Sequence, residues 1–154
     1  MVNFKYNNRV YEFEADCLAA FESNRQGKWL SREIGGQLFA RFVGDVVRIE
    51  AATITKGRSR RNRFGFLPDR SAERADIKAM FDRGLHYVGD WHTHPEPIPS
   101  PSSEDKTKML EIFRESTHEL DSMLMVIVGQ EALPDGLFVG AVNNHGVTSL
   151  YSDA

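Results

Sequence analysis

The sequence predicts an α/β fold of the α+β kind: a mixed, mostly antiparallel sheet with helices packed against it. Three observations carry this expectation. Short β-branched and aromatic runs recur along the chain and are separated by residues that favour tight turns. Three other stretches show apolar residues at helical spacing or a helix-start signal. At 154 residues, with 41% hydrophobic and 27% charged side chains, the chain has the size and composition of one globular domain spanning 1–154.

The elements follow in order. Asn3 to Tyr6 and Val10 to Phe13 read as a hairpin turned by Asn7-Asn8, residues that tolerate positive φ. A helix from about Asp16 to Arg25 follows, with Cys17, Leu18 and Phe21 on its apolar side. Ile34 to Val43 and Asp45 to Thr55 read as two long strands joined at Gly44 and placed at the centre of the sheet. Ser71 to Arg83 is expected to be a helix capped by Ser71, with Ile77, Met80 and Phe81 at helical spacing. Leu85 to Trp91 reads as a strand, and a helix from Ser102 to about Ser116 follows it. Met123 to Val128 has the uniformly apolar character of a buried strand. Leu137 to Val142 and Val147 to Tyr151 close the chain as a hairpin around Asn143-Asn144-His145-Gly146.

The chemistry concentrates at His92-Thr93-His94-Pro95, followed by Ser102 and Asp105. On a strand, residues i and i+2 share a face, so both imidazoles can aim at one point. Pro95, Pro97, Pro99 and Pro101 forbid regular structure and stiffen a loop. Ser102-Ser103-Glu104-Asp105 then offers a hydroxyl cap with acidic residues in the first helical turn, from which Asp105 can reach back toward the strand end. Two imidazoles and one carboxylate form a ligand set for catalytic zinc that leaves a fourth position for water. Either half alone has a plainer meaning: His-x-His occurs on surface strands, and Ser-x-x-Asp is a common helix cap. The combination at this spacing is the specific signal.

With its upstream glutamate, the pattern resembles the JAMM motif of the JAB/MPN-domain metalloproteases. Glu33-Ile34-Gly35-Gly36 supplies that glutamate at the start of a strand. The stretch Tyr87-Val88-Gly89-Asp90-Trp91-His92-Thr93-His94-Pro95 is similar to the short bacterial JAB proteins, a group that includes deconjugating proteases of anti-phage defence operons. The resemblance runs from about Asp16 to Gly129 and is tight at three motif blocks. It implies a cytidine-deaminase-like sheet architecture, one Zn²⁺ per chain held by His92, His94 and Asp105, Glu33 as general base, and Ser102 as donor to the developing oxyanion. Gly35 and Gly36 are expected either to let a substrate strand come close or to mark a bulge. Trp91 is expected to face the core, and Thr93 to support the ligands from behind.

Other features bound the function. No apolar stretch reaches the ~20 residues that span a bilayer and no signal-peptide pattern is visible, so a cytoplasmic, non-membrane protein is expected. Cys17 is the only cysteine, which excludes a disulfide framework; its setting is that of a small buried residue. His86, His118 and His145 lack ligand spacing. The basic run from Lys56 to Arg63 reads first as a solvated loop, because it has no interleaved aromatics and the net charge is −3. In the JAB resemblance, insertions near this position grip substrate, which makes Arg58, Arg60 and Arg61 candidate contacts to an acidic target or a carbonyl-rich tail. No nucleic-acid partner is expected.

The resemblance therefore implies a zinc isopeptidase or peptidase that cleaves after an extended C-terminal tail. Its substrate would be a ubiquitin-like modifier or a conjugated nucleotidyltransferase (CD-NTase), with a functional link to a ubiquitin-like activating/conjugating enzyme. A processing protease that matures a sulfur-carrier or ubiquitin-like precursor is the alternative. A RadC-like nucleic-acid-associated factor fits least, because that group shows His-Asn-His-Pro-Ser-Gly where this chain has His92-Thr93-His94-Pro95-Glu96-Pro97.

Overall fold

A computed structural model describes residues 1–26, 33–55 and 70–152. The basic run with Arg58, Arg60 and Arg61 lies outside the described residues. The described elements are β1 (Val2–Tyr6), β2 (Arg9–Phe13), α1 (Ala15–Ser23), β3 (Gly35–Val43), β4 (Val46–Ala52), α2 (Arg70–Asp82), β5 (His86–Thr93), α3 (Ser103–Glu115), β6 (Met123–Val128), β7 (Leu137–Asn143) and β8 (Gly146–Leu150). The strands form one sheet in the order β1-β2-β4-β3-β5-β6-β7-β8. Two pairs, β2 with β4 and β5 with β6, are parallel; the others are antiparallel. The α+β expectation is met.

Each hairpin turns where the sequence marks it. Tyr6 pairs with Arg9 across Asn7-Asn8, and Asn7 takes a φ of 54°. Val43 pairs with Val46 across Gly44, whose φ is 59°. Asn143 pairs with Gly146 across the last turn. These left-handed positions suit the two-residue loops that match the twist of the flanking strands.

The sheet separates two apolar clusters. On one face Phe13, Phe21, Leu38, Ile49, Trp91, Val126 and Val139 pack with α1, and Cys17 is buried among them. Their rings interlock: the Phe13 and Phe21 centroids lie 6.2 Å apart and those of Phe21 and Trp91 lie 5.2 Å apart. On the other face Met109 and Phe113 of α3 cover Met123, Met125 and Val142. All six residues of β6 are buried because both faces of that strand are covered.

Two boundaries and one buried side differ from expectation. Helix α1 ends at Ser23, where Asn24 leaves helical geometry and its amide donates to Phe21 O. Helix α2 is described from Arg70 onward, so Ser71 lies within it instead of capping it. The residue α2 buries is Glu73, while Phe81 is 62% exposed and rests its ring edge on His86. The apolar spacing of Ile77, Met80 and Phe81 is helical, but α2 turns a polar side toward β5.

Truncation of Phe21 to Ala opens a cavity between Phe13 and Trp91. It should lower stability by about 3–5 kcal/mol, as large-to-small changes in a closed core do. Urea denaturation followed by tryptophan fluorescence measures it.

Candidate metal centre

The centre stands at the C-terminal end of β5. His92 is the penultimate residue of the strand, and the His94 amide extends the pairing by donating to Val128 O at 2.9 Å. Strand alternation therefore carries both imidazoles to the α3 side and sends Trp91 and Thr93 the other way. Trp91 is 1% exposed, with its indole N–H donating to Thr53 O at 2.8 Å.

Helix α3 delivers the third group. Ser102 caps it with a complete capping box: the Asp105 amide donates to Ser102 Oγ at 3.0 Å, and the Ser102 amide donates to Asp105 Oδ2 at 2.9 Å. That box fixes the Asp105 carboxylate against the strand end. Its Oδ1 lies 3.3 Å from His92 Nε2, its Oδ2 lies 3.3 Å from His94 Nε2, and the two Nε2 atoms are 3.1 Å apart.

These three separations test whether the residues fit a metal. Ligands about 2.0 Å from a tetrahedral ion lie about 3.3 Å from one another; the two imidazole nitrogens and the two oxygens of the carboxylate, one facing each ring, have separations of that order. Without a positive charge between them, two imidazole lone pairs and a carboxylate this close repel. In the metal-free protein a proton supplies the charge. The hydrogen bond with Asp105, helped by Glu96, outweighs burial and raises the His94 imidazole to about 9. Burial pushes the Asp105 carboxyl up, yet bonds from His92, His94 and the Ser102 amide hold it well below the usual carboxylate range.

Glu33 completes the cluster from β3's N-terminal flank. One carboxylate oxygen lies within 4.8 Å of a ligand atom of each histidine. Asp105 contacts both imidazoles at 3.3 Å and Glu33 groups with the same two imidazoles within 4.8 Å, so two carboxylates converge on the histidine pair. Thr93 ties Glu33's neighbour in place: its amide donates to Ile34 O at 2.9 Å and its hydroxyl accepts from the Ile34 amide at 3.0 Å. That hydroxyl donates in turn to Gln26 Oε1 at 2.8 Å, and Gln130 Nε2 donates to Gln26 O at 2.8 Å. The Thr93 expectation is thus given a concrete form, a brace between the histidine strand and the glutamate.

Gly35 and Gly36 serve a different purpose from the one expected. Gly35 pairs with His92 and Gly36 with Trp91 on one side of β3. On the other side the chain after β4 folds back, Thr53 N donating to Gln37 O and Thr55 N to Gly35 O at 2.9 Å each. A Cβ on Gly36 would lie 1.6 Å from Thr53 O. The close backbone these glycines admit is the protein's own, so β3 has no open edge here for a substrate strand. The register shifts of β3 fall at Leu38/Phe39 and Phe39/Ala40, which places no bulge at the glycines.

Two groups near the centre escaped sequence reasoning. Glu96 Oε1 accepts from His94 Nδ1 at 2.8 Å, orienting the ring so that Nε2 faces the centre. Its signal was a carboxylate two residues beyond a candidate ligand, in a loop whose path the prolines obscured. Asp90 shares the face of His92, accepts from Tyr87 Oη at 2.7 Å, and is pushed up to about 7 by burial despite that bond. Elsewhere, His118 bonds to Phe113 O and His86 packs against Phe42 and Phe81, away from the centre.

Comparison with known proteins accords with this geometry. A family model described as prokaryotic homologs of the JAB domain matches residues 20–139. Among curated proteins, the chain is 28% identical over 149 residues to a CD-NTase/cGAS isopeptidase of Pseudomonas aeruginosa, covering 95% of this chain and 91% of that one. It is 30% identical over 135 residues to a CD-NTase/cGAS isopeptidase of Vibrio cholerae, covering 79% and 83%. A solution structure of a protein from Desulfitobacterium hafniense shares the fold with a TM-score of 0.64 at 20% identity, over 90% of this chain and 88% of that one.

Metal binding at Nε2 must displace the His94 proton, so affinity should rise about tenfold per pH unit through neutrality and level off above about pH 9. The sign for the metal-free protein is opposite. A folded pKa above the unfolded 6.5 gives stability that is complete below that value and lost as pH rises toward about 9. Metal titrations and thermal melts across this range check both. In a second test, Thr93→Val keeps the shape but removes the hydroxyl bonds to Ile34 and Gln26. It should leave metal content near wild type while destabilising the fold by about 1–3 kcal/mol, read by elemental analysis and denaturation.

Proposed function

This chain belongs to the family of prokaryotic homologs of the JAB domain, and from that premise we propose that it is a zinc-dependent isopeptidase. It releases a CD-NTase, or a similarly conjugated protein, from the amine to which its C-terminal tail has been joined. The observation that carries the reading is the convergence of His92, His94, Asp105 and Glu33 at one point in the cleft. The names of the curated relatives, CD-NTase/cGAS isopeptidases, support the substrate class; the proposal adds a role in anti-phage defence, a cytoplasmic setting and a functional link to a ubiquitin-like activating/conjugating enzyme.

Mechanism

In this proposal His92, His94 and Asp105 would hold the ion, with Glu96 holding the His94 ring from its far side. Zinc held there would supply a lowered water pKa, toward about 7, and polarisation of a carbonyl. Glu33 would take the proton from the attacking water and return it to the departing amine; a carboxylate free of the ion shuttles a proton better than a ligand does. Ser102 acts with the part of its hydroxyl that the cap does not use. The capping bond engages a lone pair, because Oγ accepts from the Asp105 amide. The O–H remains available to donate to the oxyanion that forms at the scissile carbonyl. Capping and catalysis therefore do not compete for this side chain.

Glu33→Ala should retain about one zinc per chain and lose about 10²–10⁴-fold in kcat, measured on fusions carrying a CD-NTase tail. His92→Ala and Asp105→Ala should lose the metal itself. Ser102→Ala should cost about 0.5–2 kcal/mol of stability through the cap and about 10²–10³-fold in kcat through the lost donor, with Ser102→Thr restoring both. A wild type that takes up no zinc, or one loaded with zinc that cuts no tail fusion, would overturn the reading.

A further inference from the structure

The centre opens into a cleft of about 480 Å³. Its floor follows the strand order β4-β3-β5-β6, and α3 borders it on the β6 side, where Met109 covers Met125. Thr55, which continues the pairing of β4 with β3, borders it on the opposite side. Three strand spacings separate the two sides, about 14 Å, which is wider than one side chain. Asp105 serves the metal centre from the start of α3, and Glu111 and Glu115 further along the same helix also line the cleft. They stand about 9 and 15 Å beyond Asp105 along the helix axis. The mechanism above uses neither.

The placement of these two glutamates runs against the local rules of helix stability. Glu115 is the last residue of α3, and Glu111 stands one turn before it. Negative charge at a helix C-terminus opposes the dipole, and like charges four residues apart repel. Among the described residues no base relieves them. Arg114 donates to Asn144 O, Lys108 is paired with Glu104 at 3.3 Å, and Arg70 is paired with Glu73 at 3.0 Å. Sequences break local rules mainly where function requires it. Met109, Ile112 and Met125 line the same cleft and supply apolar surface. Carboxylates beside apolar surface match a side chain with a hydrocarbon stem and a positive head. On the opposite side a second group lacks a partner: Thr55 is 3% exposed and its Oγ1 has no hydrogen bond. The Thr55 amide is held by Gly35 O at 2.9 Å, so the backbone cannot drift to relieve it. Buried polar groups are paired as a rule, and a hydroxyl can serve either group of a peptide bond.

We propose that this cleft is a subsite for a polypeptide segment carrying a lysine or arginine, whose cationic head meets Glu111 and Glu115 while its backbone bonds to Thr55 Oγ1. A peptide spans the cleft from side to side, whereas a small free amine meets one side only. The head is held about 9 to 15 Å from the metal centre, so the basic residue stands about three to five extended residues from the scissile bond. The assignment of that segment to the substrate rests on the isopeptidase reading; the preference for a basic peptide does not. With such a subsite the enzyme selects by charge near the bond as well as by the tail.

The test is a nuclear magnetic resonance titration of the full-length, zinc-loaded, isotope-labelled protein, which needs no turnover. The probes are acetyl-Gly-Gly-Lys-Gly-Gly-amide, the same peptide with glutamine in place of lysine, and n-butylammonium as a cation without a peptide backbone. Saturable shifts of the Thr55, Glu111 and Glu115 backbone amides with the lysine peptide are expected, and binding of the other two probes at least tenfold weaker. Glu111→Gln combined with Glu115→Gln should weaken the lysine peptide at least tenfold without lowering the melting temperature, since it removes the repulsion and the conflict with the dipole. A purely structural role for these residues would lower the melting temperature and leave peptide binding alone. The proposal is overturned if the lysine and glutamine peptides bind alike, if butylammonium binds as tightly as the lysine peptide, if the shifts miss these residues, or if the double variant binds like wild type. Peptide binding intact in a protein that cuts no tail fusion would refute the isopeptidase reading and leave the subsite standing; cleavage of tail fusions without peptide binding would do the reverse.

Discussion

The parallel pairing of β5 with β6 is the constraint from which the centre follows. Antiparallel neighbours can be joined by two residues, but parallel neighbours require the chain to travel back along the sheet before it can pair again. Here that return journey runs from His94 to Ser122 and contains the proline loop and α3. The first turn of the returning helix must lie near the end of the strand it has just left. The sheet topology thus sets a carboxylate at a helix start opposite imidazoles at a strand end. Were β5 and β6 antiparallel, a short hairpin would join them and Asp105 would have no reason to be there.

The bonds that hold this arrangement are shared between folding and chemistry. Ser102 and Asp105 satisfy each other's backbone amides at the start of α3, and the same exchange orients the Asp105 carboxylate toward the two imidazoles. Thr93 closes the pairing of β5 with the segment before β3, and thereby fixes the approach of Glu33. Buried Gln26 completes that network instead of breaking it. A fully satisfied polar chain of this kind rigidifies its members, since each bond lost strands a partner away from water. Mutations near the centre will therefore mix effects on stability and on function unless the two are measured separately.

The legible parts of the sequence were those governed by local rules. Asn7-Asn8 and Gly44 marked turns because few residues accept positive φ. His92 and His94 marked a shared face because strand alternation is strict, and Ser102 marked a helix start because its hydroxyl answers unpaired amides. The family resemblance supplied Glu33, and the structure brought it to the histidines. What escaped depends on the path of the chain between elements. Glu96 reaches back to His94 through a loop whose course no periodicity describes. Gly36 is a glycine because Thr53 passes over it, a contact set by how β4 continues past its last named residue. Helix α2 misled because apolar spacing reports helicity and not which side will be covered: Glu73 went in and Phe81 stayed out.

The outer strands of the sheet bear on a different property. Phe4 in β1 forms an isolated bridge with Ser152, just beyond β8, so the two ends of the sheet approach each other. An open sheet exposes unpaired amides and carbonyls along its margins, and any extended polypeptide can add to them. By bringing its two margins together at this bridge, the fold shortens the edge that stays open to such additions.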